Sequence, residues 1–223
     1  MTGLLIAATK FEVQSCIKLL KKSVNWHCVI TGIGSVATAY TVLKAIEKFK
    51  PQIIIQAGIG GTFDQQIALG SVVTIGSDCL GDLGVVETKN RKSIFDLKLM
   101  ANNDKPFTNS RLVNPHKKIM RQTLLQVVDA VSVNEITTSK GDIKYYKNEL
   151  NVAVESMEGA AFHYVALMEK IPFVQIRGIS NLVGERKKEK WNVKLAIENL
   201  NVEVMKIINK LNLSAEAGIK KSL

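Results

Sequence analysis

Gln52-Ile53-Ile54-Ile55-Gln56-Ala57-Gly58-Ile59-Gly60-Gly61 is the stretch whose character decides the fold. Three consecutive isoleucines leave no polar side for solvent, so 52–57 reads as a strand buried on both faces, as central parallel strands are. The run empties into Gly58-Ile59-Gly60-Gly61-Thr62, a glycine-rich exit expected to be a loop. Glycines there permit positive φ and let another backbone or a ligand come close. Upstream, 3–8 reads as a strand and 9–22 as a helix, with Phe11, Val13, Cys16, Ile17, Leu19 and Leu20 near helical spacing. A strand follows at 26–31, then the tight loop Gly32-Ile33-Gly34. The helix over 35–49 is expected to bury Val36, Ala37, Tyr40, Leu43 and Ile46 before Pro51 stops it.

Downstream, 71–76 reads as a strand, while 78–115 is polar, rich in Gly and Asn and weakly periodic. A helix is expected over 116–127, a strand over 130–133, and a short helix or turn over 145–150. The pattern then sharpens into a strand at 152–154, a helix at 157–170, a strand at 173–179 and a long amphipathic helix at 193–211. Strands alternating with helices predict the α/β class, with a mostly parallel, twisted central sheet carrying helices on both faces. No repeat or low-complexity linker divides it, so 1–213 reads as one domain and 214–223 as a frayed tail.

The chain has 223 residues, 46% of them hydrophobic, which is enough for one substantial core. Its net charge of +10 admits acidic partners. Nucleic acid is not expected, because the Lys and Arg residues are scattered and no aromatic interleaving offers stacking platforms. Lys117, Lys118 and Arg121 read as a solvated helix face. Cys16, Cys28 and Cys79 are an odd number without a Cys-x-x-Cys pair, so neither a disulfide framework nor a zinc knuckle is indicated. His27, His116 and His163 lack metal-ligand spacing, and no metal or cofactor is expected. The apolar run 4–8 has strand length, with no basic leader and no cleavage site. No segment reaches transmembrane length. The expectation is a cytoplasmic protein without membrane contact.

Several short motifs bear on chemistry. Thr9-Lys10-Phe11-Glu12 matches a capping box, which makes Glu12 a helix cap. A carboxylate at the carboxyl edge of a strand is also placed to take a proton from water. Gly32-Ile33-Gly34-Ser35-Val36-Ala37 matches the relaxed dinucleotide fingerprint, but the next strand ends in Gln56-Ala57-Gly58 rather than the acid that would hold a ribose. Glu155 and Glu158 flank a helix start, where acids also complement the helix dipole. Met157 beside Glu158 suits a sugar, the acid gripping hydroxyls and the thioether packing on the ring. Ser180-Asn181 closes an apolar strand, and Arg186 and Trp191 follow in a cationic loop.

Ala8-Thr9-Lys10-Phe11-Glu12-Val13, Thr31-Gly32-Ile33-Gly34, Gln56-Ala57-Gly58-Ile59-Gly60-Gly61, Glu155-Ser156-Met157-Glu158-Gly159-Ala160-Ala161 and Arg177-Gly178-Ile179-Ser180-Asn181 occur in a telling order. The ordered set resembles the purine nucleosidase and nucleoside phosphorylase superfamily over nearly the whole chain. The form Glu-Ser-Met-Glu-Gly-Ala-Ala-Phe, with Ser-Asn and then Glu185-Arg186 and Trp191, is most similar to the futalosine hydrolases among them. That resemblance implies a three-layer nucleoside phosphorylase-like fold, a metal-free N-glycosidase and a homo-oligomer. It implies that Glu12 activates water, that Met157 and Glu158 hold the ribose, and that Asn181 faces N7 of the base. It also implies base contacts near Ile143 and Tyr145, a ligand loop at Gly60, Gly61 and Thr62, and Arg186 toward a benzoate. The adenine-releasing relatives carry Asp where this chain has Asn181, so a 6-oxopurine leaving group is expected. Methylthioadenosine/adenosylhomocysteine nucleosidase, purine nucleoside phosphorylase and a silent nucleoside-binding module are the alternatives.

Overall fold

The computed structural model describes residues 1–88 and 90–220. In chain order its elements are β1 (Gly3–Ala7), α1 (Gln14–Leu20), β2 (Trp26–Ile30), α2 (Ser35–Phe49), β3 (Ile53–Thr62) and β4 (Val72–Leu80). Then come β5 (Gly84–Glu87), β6 (Asn90–Ser93), β7 (Leu112–Val113), α3 (Lys117–Thr123) and β8 (Gln126–Ser132). The chain continues through α4 (Lys140–Lys144), β9 (Val154–Ser156), α5 (Gly159–Met168), β10 (Phe173–Leu182) and α6 (Val193–Lys220). A π turn, Tyr145–Glu149, extends α4, and a single 3-10 turn, Lys188–Lys190, precedes α6.

Period-two alternation sorts the apolar side chains onto two faces of the sheet. Leu5 and Ala7 of β1, Ile53, Ile55 and Ala57 of β3, and Val174 and Ile176 of β10 face α1, α3 and α6. Leu4, Ile6, Ile54 and Phe173 face α2 and α5. These layers are what the triple isoleucine announced, and truncating a fully buried side chain such as Ile54 costs about 2–5 kcal/mol.

The sheet is mixed, where a mostly parallel one was expected. β1 pairs with β2 and β3, β3 with β10, β4 with β8, and β8 with β9, all in parallel. The β10–β4, β3–β9 and β4–β7 pairings are antiparallel. Because β10 joins both β3 and β4, the circuit β3–β10–β4–β8–β9–β3 closes on itself, and β1 and β2 extend from it as a flange. β3 is the hinge of this arrangement: residues 53–56 lie beside β1, and residues 61–62 lie beside β9.

That long β3 corrects the expected loop at 58–61. The glycines continue the strand, none with positive φ, and their lack of a side chain lets neighbours approach. A Cβ at Gly60 would stand 2.8 Å from the Glu155 carbonyl oxygen. Other boundaries move for local reasons. α1 starts five residues later than expected, because the Glu12 carboxylate turns back onto Thr9. α3 stops where Leu124 adopts a left-handed conformation, which frees Gln126 to begin β8. On α2 the buried face is Thr38, Val42, Ala45 and Ile46, and Val36 and Tyr40 are exposed. The weakly periodic 78–115 holds the end of β4, the β5–β6 ribbon and β7. α6 runs through the first part of the segment expected to fray, and 221–223 lie outside the described residues. Among the described residues no helix is long and apolar enough to cross a membrane. Nor does any group of three or more His, Cys, Asp or Glu among them stand as a metal site.

Candidate active site

A cavity of about 370 Å³ opens at the carboxyl ends of β1, β3 and β10. Its wall includes Glu12, Glu155, Met157, Glu158, Ser180 and Asn181, with an apolar rim of Phe11, Ile33, Ile136 and Trp191. Among the described residues no lysine or arginine lines it.

Glu12 sits on the turn that follows β1 and is 7% exposed. Its Oε2 accepts from the Thr9 amide (2.9 Å) and the Thr9 hydroxyl (2.8 Å), and Oε1 accepts from the Ile59 amide (3.0 Å). The expected helix cap is not formed: α1 begins at Gln14 behind Val13 without a side-chain cap, the Glu12 carboxylate closes the preceding turn onto Thr9 instead, and Glu12 lines the cavity. α6 holds this turn from behind: Asn201 donates from Nδ2 to the Glu12 carbonyl (2.7 Å), and its Oδ1 accepts from the Cys16 amide (3.0 Å).

Glu158 precedes the first turn of α5 and is 5% exposed. Its Oε1 accepts from the Gly34 amide at 3.1 Å, and its Oε2 lies 3.5 Å from Nη1 of Arg177. Gly32 and Gly34 have φ of 85° and 90°, which is what their glycine character supplies. The glycine loop that resembled a dinucleotide fingerprint thus gives an α2 N-terminal amide to the protein's own carboxylate. The positive end of the α2 dipole adds to that anchorage.

Arg177 is a site residue that the sequence reading left without a role. It is 1% exposed, donates from Nη1 to the Ile59 carbonyl (3.3 Å), and faces Glu158. A Cβ at Gly58 would stand 2.5 Å from Arg177 Nη1 and 3.0 Å from Glu12 Oε1. One guanidinium therefore backs both carboxylates, in space that a side chain at position 58 would fill. Its signal was present in parity: on the α2/α5 face β10 runs Phe173, Gln175, Arg177, opposite Ile54, Gln56, Gly58 of β3.

Asn181 lies in β10, where the strand bulges between Ile179 and Asn181, rather than after the strand as expected. Its Oδ1 accepts from the Ser180 hydroxyl (2.8 Å), and its Nδ2 donates to the Leu182 carbonyl (2.9 Å). An amide has two N–H groups and two oxygen lone pairs, so one of each is left for a ligand. Glu155, on β9, accepts from the Thr137 amide at 3.2 Å through Oε1. Burial, with Asp82 and Asp142 at longer range, holds its carboxyl above the usual range against the Thr137 hydrogen bonds.

Glu12, Met157, Glu158, Gly60, Gly61 and Asn181 are thus gathered around one cavity. Four other expected positions are not. Thr62 is fully buried and joins β3 to the β9 side through the Ala153 carbonyl. Ile143 packs into the apolar cluster of Phe63, Val131 and Tyr146. Tyr145 belongs to the edge of that cluster and faces another hollow, with Arg91 and Asp142. The carry-over failed there because Ile143 and Tyr145 pack with Phe63, Val131 and Val152, leaving Ile136 and Trp191 at the cavity. Arg186 is exposed and stands over the Trp191 ring, 5.5 Å from its centroid.

The chain resembles known proteins over most of its length. The chain is 25% identical over 190 residues to a 5'-methylthioadenosine/S-adenosylhomocysteine nucleosidase of Psychromonas ingrahamii, covering 82% of this chain and 80% of that protein. It is 22% identical over 180 residues to the futalosine hydrolase of Thermus thermophilus, covering 80% and 79%. Among solved structures, it superposes on a methylthioadenosine/S-adenosylhomocysteine nucleosidase of Colwellia psychrerythraea in complex with adenine. The TM-score is 0.80 at 19% identity, over 95% of this chain and 96% of that one. The futalosine hydrolase of Helicobacter pylori gives a TM-score of 0.78 at 12% identity, over 94% and 98%. Residues 10–212 match the sequence profile of the phosphorylase superfamily, and the chain belongs to that superfamily.

Proposed function

We propose that this chain is a metal-free purine nucleosidase that hydrolyses futalosine, releasing hypoxanthine. The observation that carries the reading is the pairing of Glu12 and Glu158 across a cavity lined, among the described residues, by no cation, with Asn181 on its wall. Breaking an N-glycosidic bond passes through an oxocarbenium-like state, which nearby negative charge favours. Glu158 grips the ribose hydroxyls, and the Met157 thioether packs against the sugar. As the C1′–N9 bond breaks, its electron pair leaves with the purine, which takes a proton from solvent water at N7. Glu12 takes the proton of the attacking water, whose oxygen bonds to C1′.

Asn181 selects the leaving group. Its remaining N–H donates to a 6-keto oxygen, and its remaining lone pair accepts from a protonated N7. Water is the nucleophile in this reading because a phosphate dianion would meet carboxylates without the arginine or lysine that such an anion requires. The exposed Arg186 over Trp191 supports a carboxylate-bearing substrate such as futalosine. The apolar rim of Phe11, Ile33, Ile136 and Trp191 favours a second reading, an alkylthio-nucleoside of the methylthioadenosine class. Phe11 and Ile33 at the cavity rim and Val36 and Tyr40 on α2 are exposed and support the homo-oligomer, which light scattering tests.

The deciding assay incubates the purified protein with futalosine, inosine and methylthioadenosine, with and without phosphate. Hypoxanthine released from futalosine without phosphate is the expected outcome. Adenine release alone, or a strict need for phosphate, overturns the proposal. Binding of hypoxanthine without turnover of any nucleoside marks a silent binding module instead.

A further inference from the structure

Glu158 stands at the start of α5, yet its side chain does not cap that helix. A carboxylate in such a place ordinarily turns onto the open amides of the first turn, where the positive end of the helix dipole also holds it. Here those amides are already engaged. The Gly159 amide donates to the Ser156 hydroxyl at 3.3 Å, and the Ala160 amide donates to the Ser132 hydroxyl at 2.8 Å. Glu158 is thereby released to meet the Gly34 amide, Arg177 and the cavity.

The two hydroxyls form a chain that ends in a carboxylate outside the cavity wall. Ser132 Oγ donates to Asp78 Oδ1 at 3.0 Å, so in the 3.3 Å contact between the two serine hydroxyls it is Ser156 that donates. Every hydrogen of the chain therefore points toward Asp78, from the amide end of α5 through β9 and β8 to β4. Ser156, Ser132 and Asp78 are all buried, so water does not compete for these bonds. The packing at the junction is equally specific. A Cβ at Gly159 would collide with Asp78 Oδ2 and Gln175 Nε2, so the glycine that opens α5 lets the helix end settle on Asp78.

We infer that Asp78, acting through Ser132 and Ser156, is a positioning residue for Glu158: it completes the cap of α5 from outside the cavity and so keeps the Glu158 carboxylate turned toward the ligand. This rests on the proposed nucleosidase reading, in which Glu158 holds the ribose. What the chain asks of position 78 is an accepting oxygen. Without it, or without the Ser132 hydroxyl, the start of α5 has a buried amide short of its acceptor, which is costly. Glu158, one residue before the helix, then supplies the acceptor itself and withdraws from Gly34.

The test uses Ser132→Ala, which removes one buried hydroxyl, with Asp78→Ala and Asp78→Asn, each checked by thermal melting. The Gly34 amide proton, at the start of α2, reports Glu158 directly, because Glu158 Oε1 accepts it. In Ser132→Ala its NMR resonance is expected to move upfield. Efficiency on futalosine, kcat/KM, should fall about ten- to hundredfold, as for a group displaced by about an ångström, while calorimetric binding of hypoxanthine, which has no ribose, holds. Asp78→Ala should behave alike, and Asp78→Asn, which keeps an accepting oxygen for Ser132, should restore both readings. An unmoved Gly34 resonance with kcat/KM within about twofold in folded Ser132→Ala overturns the role of Asp78 and leaves the nucleosidase reading standing. So does an Asp78→Asn protein as impaired as Asp78→Ala. Unaltered protein that turns over no nucleoside overturns the nucleosidase reading instead, since the Gly34 resonance reads the chain without turnover.

Discussion

Replacing Asp78 by Asn should remove a pH dependence of stability that the fold itself creates. Asp78 is fully buried on β4, and Oδ1 accepts from the Cys79 amide (2.9 Å) and the Ser132 hydroxyl (3.0 Å). Its Oδ2 accepts from Gln175 Nε2 at 3.3 Å. Burial pushes its carboxyl from the ordinary 3.8 up to about 7, against the opposing pull of Arg177 and these hydrogen bonds. The folded state thus binds the proton more tightly than the unfolded chain does. The associated stability is complete below 3.8 and is lost as pH rises to about 7, above which the buried charge remains a constant burden. That span corresponds to at most about 4 kcal/mol. Asn keeps the shape and carries no charge, and Gln175 can rotate its amide so that Oε1, now without a partner, accepts from the new NH2. Urea unfolding at a series of pH values from 4 to 8 measures both proteins. The expected result is a variant that gains on the wild type steadily as pH rises. His163, held down to about 4 by burial, acts with the opposite sign, its stability fading as pH falls from 6.5. It is common to both proteins and cancels in the difference. Parallel curves for the two proteins would refute the reasoning.

Three further outcomes are expected. Glu12→Gln should lower hydrolysis by about 10²–10⁴-fold while calorimetry still detects hypoxanthine binding; near-normal turnover would remove Glu12 from its assigned role. Arg186→Ala should lower kcat/KM for futalosine but not for inosine, and equal values for futalosine before and after the change would dismiss the benzoate contact. Asn201→Ala should cost about 1–3 kcal/mol in urea unfolding by leaving the Glu12 carbonyl and the Cys16 amide unpaired in the core. Because Asn201 positions the Glu12 turn and touches no substrate, kcat should fall while KM holds, and an unchanged kcat would show the turn to be rigid without it.

The layers of this fold were legible because burial writes itself into β1, β3 and β10 as apolar residues of both parities. The closure of the sheet was not. It depends on the antiparallel contacts of β10 with β4 and of β3 with the three-residue β9, which join residues more than 90 positions apart. Gly58, Gly60 and Gly61 read as a loop for the same reason, since what they admit comes from distant segments: Arg177, the Glu155 carbonyl and the Asn181 amide. In the candidate site, Glu12, Met157, Glu158 and Asn181 were found through motif order and do line one cavity. Ile143 and Tyr145 were carried over from the resemblance without a motif of their own, and a resemblance without a motif does not tell which way a short helix packs. Asn201 and Ser132 act through backbone amides of other elements, a role that leaves no pattern in their neighbours along the chain.

The buried polar ladder gives a physical reason for the chemistry to sit at this end of the sheet. On the α2/α5 face, β3 changes from Ile54 to Gln56 to Gly58 while β10 changes from Phe173 to Gln175 to Arg177. Polarity rises toward the cavity, and it ends in a cation held behind two carboxylates rather than among them. A buried guanidinium is tolerated only beside compensating charge, so Arg177 and Glu158 hold each other in place, and the Gly34 amide fixes the remaining oxygen of Glu158. With one cation behind and three carboxylates on the wall, the field inside the cavity stays negative. Such a field lowers the energy of a sugar cation at C1′ and raises that of an approaching phosphate. Moving a cation to the cavity side, as in Ile136→Lys, should therefore weaken hydrolysis more than it weakens binding of the neutral base; equal losses in both would mean that the negative field contributes nothing to the transition state.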